Sequence, residues 1–361
     1  MIFDEKKQET IRKYLLRKIA VDDSEFIFKT MDNFDIESIM VEQFLQEYIQ
    51  EGFIAVSKER NCGYKLVENS NQFHIVLTVA LDNEDRIYKE YIEPNLKYCN
   101  ENALRIWQYT CEEMLNNVME HSRGKNLYIE VHSNILFNKV LIVDDGVGTF
   151  RTLLEYMEGN GWGKPQVEDA LLELYKGKIT SKAECHSGEG IFFSSKLVDS
   201  YALWSDARIY ECGHGREPKV IESHLLAYAS RIGKVGTMVS MSLENETQRK
   251  IADVFDMYTD IEEGLVKTRI PIKEACMNDD PVARSQARRI CNRLEEFKEV
   301  VLDFSGVEFM GQGFSDELFR IYALNHPDIL LRPINMIPIV ARMVKHVGRG
   351  RLASNVCLDT N

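Results

Sequence analysis

The stretch LRIWQYTCEEMLNNVMEHS, residues 104–122, constrains most strongly what this chain can fold into. Leu104, Trp107, Cys111, Met114, Leu115 and Val118 recur at three- and four-residue steps, so a helix here buries one apolar stripe. The runs around it are strand-like: FHIVLTVAL before it, NLYIEVHSN and NKVLIVDDG after it, and GTMVSMSLE further on. A long one-sided helix among such strands needs a sheet to cover. The expectation is an α/β sandwich over residues 69–245.

The same helix carries a polar line. Glu113, Asn117 and His121 stand four and four apart, and each step of four drifts only ~40°, so they share a face. A carboxylate can polarise a water, a carboxamide oxygen can ligate Mg2+, and an imidazole can hydrogen-bond beside them. A plain solvated face has the same look. Glu112, Asn116 and Glu120 also repeat the spacing one residue earlier.

Two glycine turns follow. Asp144-Asp145-Gly146-Val147-Gly148 closes the strand KVLIV. An Asp there can accept from an exocyclic amine, and glycines let the backbone approach closely, although an ordinary turn would read alike. His186-Ser187-Gly188-Glu189-Gly190 opens an apolar helix, whose exposed N–H groups and positive end suit phosphate. Lys178, Thr180 and Lys182 stand upstream as donors from a lid spanning about 159–187.

A chain of 361 residues exceeds one ordinary hydrophobic core, which makes this a multidomain α/β protein. Residues 1–68 hold three short helical segments and then two β-rich runs, FIAVS and GYKLV. Residues 246–268 read as a connector. Residues 269–361 alternate strands and helices, as a small α/β domain does.

The net charge of −13 repels phosphates at long range, screened beyond ~8 Å. Phosphate binding must therefore rest on a metal and local donors. DNA binding would need a local basic patch, but IESIMVEQFLQEYIQE carries four glutamates and no Lys or Arg. No apolar run approaches the ~18 residues of a membrane span. The opening MIFDEKKQET has no signal-peptide core, so a cytoplasmic location without membrane contact is expected. The eight cysteines form no CxxC pair and read as free thiols.

Taken in order, EEMLNNVMEHS, VDDGVG, HSGEGIFF and Gly236-Thr237 resemble the N-box, the D-x-G-x-G box, the second glycine box and the closing box of GHKL ATPases. This is the fold of histidine kinases and anti-sigma serine kinases. The resemblance covers residues 100–242, and the N-box spacing is similar to the anti-sigma branch. It implies a mixed sheet with helices on one face, and ATP and Mg2+ as cofactors. It further implies Glu113 as the activating base, Asn117 as the Mg2+ ligand in preference to Asn116, and Asp144 as the reader of the adenine amine. Gly146, Gly148, Gly188 and Gly190 would shape the pocket, with His121, Lys182 and Thr237 in the same site. His74, upstream of the N-box, lies in a strand-like run and not on the helical hairpin of a histidine-kinase phospho-acceptor.

The flanks resemble known modules too. EYIQEGFIAVSKERNCGYKLV resembles the recognition-helix-to-wing junction of a winged helix-turn-helix. VVLDFSGVEFMGQGFSDELFRIYALNHP resembles the STAS-like domain of unknown function found behind such ATPases. Gln312 and Gly313 fill the turn where anti-anti-sigma STAS domains place a phosphorylated serine, and Ser315 reads as a helix N-cap. The expectation is an ATP-binding regulatory protein whose nucleotide region switches the contacts of flanking modules with protein partners. An anti-sigma-type serine/threonine kinase and an ATP-responsive DNA-binding regulator stay open beside it.

Overall fold

The computed structural model describes residues 5–77, 83–178, 189–213, 219–222, 234–260, 262–277, 279–347 and 353–358. The chain begins with helices α1 (Glu5–Ala20), α2 (Phe26–Phe34) and α3 (Ser38–Gln50). An antiparallel hairpin follows, β1 (Ile54–Val56) and β2 (Tyr64–Leu66). Gly52, at φ 76, turns the chain from α3 into β1, a conformation that side chains other than glycine adopt only at a cost. Ile11, Leu15, Phe26, Val41, Leu45 and Ile54 form this part's own core. It rests on the next region through Arg17–Glu244 at 2.9 Å and through Ile135 and Leu136.

The central sheet holds β3 (Asn69–Val76), β4 (Asn126–Ser133), β5 (Phe137–Asp144), β6 (Ser200–Ser205), β7 (Arg208–Gly213), β8 (Lys219–Glu222) and β9 (Thr237–Glu244). Their order is β3-β4-β5-β9-β6-β7-β8. A mixed sheet was the expectation, yet every neighbouring pair is antiparallel. The reason is topological. The crossover from β5 brings β6 back pointing the same way, and β9 slots between them and runs against both.

Short α4 (Glu84–Ile87) precedes α5 (Glu101–His121), and α6 (Thr149–Gly159), α7 (Val167–Lys176) and α8 (Gly190–Leu197) follow β5. The Asn100 side chain caps α5 by accepting from the Ala103 N–H at 2.8 Å. The helix buries Trp107, Cys111, Met114, Leu115 and Val118 of the stripe its sequence displays, and Ile106 beside them, while Leu104 is only half-buried. In β4 the buried Leu127, Ile129 and Val131 alternate with half-buried Tyr128, Glu130 and His132, so the sheet packs one face on the helices.

Two expectations need correction. A lid is expected over 159–187, but its described part contains α7, whose residues Ala170–Lys176 are all buried, and residues 179–187 lie outside the described residues. The segment 246–268 was read as a connector, but it forms α9 (Ile251–Tyr258) and the short strand pair β10 (Thr259–Asp260) and β11 (Gly264–Leu265). Phe255 of α9 stacks on Phe193 of α8 with centroids 4.0 Å apart, and Leu265 is fully buried. Apolar side chains at these positions are taken into the core, and a single cluster runs from Ile87 to Val356.

The C-terminal part is a parallel three-stranded sheet, β12 (Lys267–Pro271), β13 (Glu299–Asp303) and β14 (Leu330–Ile334). Helices α10 (Ile272–Ala275), α11 (Arg284–Cys291), α12 (Gln312–Asp316), α13 (Ala323–Asn325) and α14 (Pro338–Val347) cover it, with a π-turn over Glu317–Tyr322 joining α12 to α13. The buried Asp303 carboxylate pins the strand ends together. It accepts from Arg269, from the Ser305 N–H and from the Asn335 amide. The protein is thus a mixed α/β chain with several sheets. No helix among the described residues is long and apolar enough to cross a membrane, and the seven described cysteines are unbonded.

Candidate functional site

A cavity of about 340 Å3 opens between α5, the end of β5, α6, α8 and the start of β9. Glu113, Asn117, His121, Asp144, Gly148, Gly190 and Thr237 all line it, although they come from separate stretches of sequence. Of the alternative register on α5, Asn116 lines the cavity, whereas Glu112 accepts from Gln108 at 2.9 Å. Lys182 and Gly188, with Thr180, His186 and Ser187, lie outside the described residues. Met114, Ile142, Leu153, Leu174, Phe193 and Val239 give the wall its apolar area. No Lys or Arg is among its described residues.

The two adjacent aspartates divide the work. Asp144 is only 2% exposed and lines the cavity. Burial pushes its carboxyl up to about 6, against the bonds from the Gly146 and Thr237 main chain. The Gly146 N–H donates to its Oδ1 at 2.8 Å, which fixes the carboxylate plane. Asp145 turns the other way. Burial is the largest single influence and pushes its carboxyl up, but the donors from Asn126 and Lys125 together outweigh it and hold the carboxyl below the usual range. It straps the loop to β4 through Asn126 Nδ2 at 2.6 Å and the Lys125 N–H at 2.7 Å.

The glycines are where backbones nearly touch. A Cβ at Gly146 would run into the Ser122 carbonyl at the end of α5, whose oxygen already accepts from the Val147 N–H at 2.8 Å. Gly148 adopts φ 97 as the chain turns into α6. A Cβ at Gly190 would strike the Glu113 carboxylate, so the first residue of α8 sits directly against that side chain. Gly146→Ala should therefore lower stability by about 1–3 kcal/mol, the usual cost of overpacking. The denaturation midpoint measures this, with the helical Gly159→Ala, which meets nothing within 4 Å, as the control that loses no stability.

Hydroxyls of Tyr109, Thr149, Thr152 and Thr237 also line the cavity. Thr149 donates its N–H to Thr237 Oγ1 at 3.1 Å and to Ser205 Oγ at 2.9 Å. Burial, and after it the charges of Glu113 and Glu189, push the Tyr109 hydroxyl up, so it stays neutral beside them. Sequence reasoning missed Tyr109, Thr149, Thr152, Leu174, Glu189, Phe193 and Phe255, which also line the cavity. A signal for Phe255 was present: IADVFDMY is apolar on one helical face.

Among known proteins, no curated protein and no solved structure matches the chain. A family model does match residues 286–341, that of a STAS-like domain of unknown function (DUF4325). The parallel-sheet part at the C-terminus therefore contains a STAS-like domain, as its sequence led us to expect.

Proposed function

We propose that the cavity binds Mg-ATP in the manner of a GHKL ATPase, and that the chain is a nucleotide-driven regulatory protein. The observation that carries this reading is the meeting of Glu113, Asn117, Asp144, Gly190 and Thr237 around one space. The donor set fits the ligand. A buried carboxylate in a cavity that also carries the apolar Ile142, Leu153 and Val239 suits the exocyclic amine of adenine. The described wall offers no Lys or Arg to a triphosphate, which favours charge neutralisation by a metal bound jointly by phosphates and a few protein oxygens.

In this reading Asp144 accepts from the base, and the start of α8 presents N–H groups to the phosphates. The Asn117 amide oxygen would hold the metal. Bound Mg2+ supplies charge neutralisation of the triphosphate. Glu113, held against Gly190, orients a water and takes its proton. His121 and Thr237 add hydrogen bonds at the rim.

The flanking parts are the outputs. The outward face of α3 shows Glu37, Glu42, Gln43 and Gln46, with no cation among them, which favours a protein partner over DNA. The reading of the first part as a winged helix belongs to this proposal. Transfer of phosphate to Ser315 is disfavoured because that residue is completely buried.

Phosphate release by wild type and Glu113→Ala tests the chemistry. Release should fall by about 100-fold or more in the variant, while ATP binding persists. Equal release by both proteins would remove Glu113 from the reaction.

A further inference from the structure

We infer that α7 is a joint through which the STAS-like domain and the nucleotide cavity control each other, an inference that rests on the nucleotide reading above. Helix α7 has two buried faces. Leu174 forms part of the cavity wall, while Glu173, Tyr175 and Lys176 turn away from it. Glu173 and Lys176 meet the C-terminal part, while the Tyr175 ring leans on Tyr210 of β7 and its carbonyl accepts from Thr268 of β12.

Lys176 is 1% exposed, an unusual place for an ammonium group. Its Nζ pairs with Glu173 at 2.8 Å and donates to the Asn292 carbonyl just past the end of α11. Arg293 reaches back and binds the other Glu173 oxygen at 2.9 Å. The same guanidinium lies 5.5 Å over the Trp162 ring and donates to the Lys178 carbonyl at 3.1 Å. Lys178 in turn donates to the Glu296 carbonyl at 2.7 Å. Arg289 of α11 pairs with Asp169 at the front of α7. The helix is thus gripped along its length by α11 and the turn after it.

These contacts are directional, and the Glu173–Lys176 pair at their centre is shielded from water, so they hold one arrangement or another and do not stretch smoothly. The far end of α7 is locked as well. Gly177, at φ 90, lies so close to Phe192 of α8 that a Cβ there would enter the ring. Helix α8 begins at Gly190, against Glu113 in the cavity. A ligand that draws α7 or α8 inward must therefore shift Glu173 and Lys176 relative to Asn292 and Arg293. Coupling of this kind is reciprocal: whatever ligand does to the joint, the joint does to ligand affinity.

The test uses the full chain. Backbone hydrogen exchange is followed over residues 167–177 and 284–297 with and without saturating Mg-ATP, and calorimetry reports binding separately. Wild type should show altered exchange in both segments, the second contributing no residue to the cavity lining. Arg293→Ala should bind Mg-ATP about fivefold or more weakly and lose the nucleotide-dependent change at 284–297, at an unaltered circular dichroism spectrum. Arg293→Lys, which keeps the charge, should fall between the two. If calorimetry shows binding while exchange at 284–297 does not respond, the joint is overturned and the nucleotide site stands. If wild type gives no binding, the nucleotide reading fails first, and the inference with it.

Discussion

At pH 7.5, Asp144→Asn should melt at a higher temperature than wild type and bind Mg-ATP about 10- to 100-fold more weakly. Both effects come from one buried carboxylate. Burial raises its folded value to about 6, above the ordinary 3.8. A carboxyl raised in this way favours the folded state at low pH, and that contribution is lost as pH rises from about 4 through 6. Above that window the ionised group costs the fold up to about 3 kcal/mol. Asparagine removes the charge, and its amide oxygen can still accept from the Gly146 N–H, so the apo protein gains. The same change replaces an acceptor-only group with one that also presents an NH2, and a donor then faces the amine of adenine. Wild-type affinity should likewise fall as pH drops below about 6, when the carboxyl takes up a proton. Thermal melts and titrations at pH 5 and 7.5 measure all of this. A variant with a lower melt and full affinity would make Asp144 a structural strap.

The second large effect concerns stability. Lys176→Ala should destabilise the protein by about 3 kcal/mol, the lower end of the range for breaking a buried ion pair. The lower end applies because Arg293 still faces Glu173 after the lysine is gone. The Asn292 carbonyl also loses its donor. The double variant Glu173→Gln/Lys176→Met should recover much of the loss, because neither buried charge of the pair then remains. Equilibrium denaturation of the two variants decides it. If both single and double variants unfold at the wild-type midpoint, Lys176 contributes nothing, and the buried pair is energetically idle.

What could be read from the sequence tracks how local the governing physics is. Helix α5 was legible because its apolar stripe and polar line both follow the 3.6-residue period. The strand pair β4–β5 was legible for the same kind of reason, since one face is buried and the other is not. The choice between Glu113 and Glu112 could not be made from spacing, because both registers have equal period. It depends on how α5 rotates against the sheet. The antiparallel character of the whole central sheet was hidden because β9 enters between β5 and β6 from far along the chain. Strand insertion is a long-range event that no local pattern records.

The misreadings of α7 and α9 share a cause. DALLELYK and IADVFDMY are both amphipathic, but flanking glycines and charged runs made them look like a lid and a linker. Glu173 and Lys176, three apart, have the spacing of an ordinary surface pair on a helix. Only the C-terminal part, packed on top, turns that pair into a buried one. The STAS-like domain itself was legible, because its β13 strand and following turn carry the resemblance within a single stretch.

The central claim is that one cavity collects these residues to hold Mg-ATP, and calorimetric titration of the full chain with ATP tests it most directly, run once with magnesium and once with the metal chelated. The account predicts a single saturable site in magnesium, clearly weaker binding without it, and further weakening in Asp144→Asn. A wild-type protein that gives no saturable heat with magnesium and ATP would contradict it.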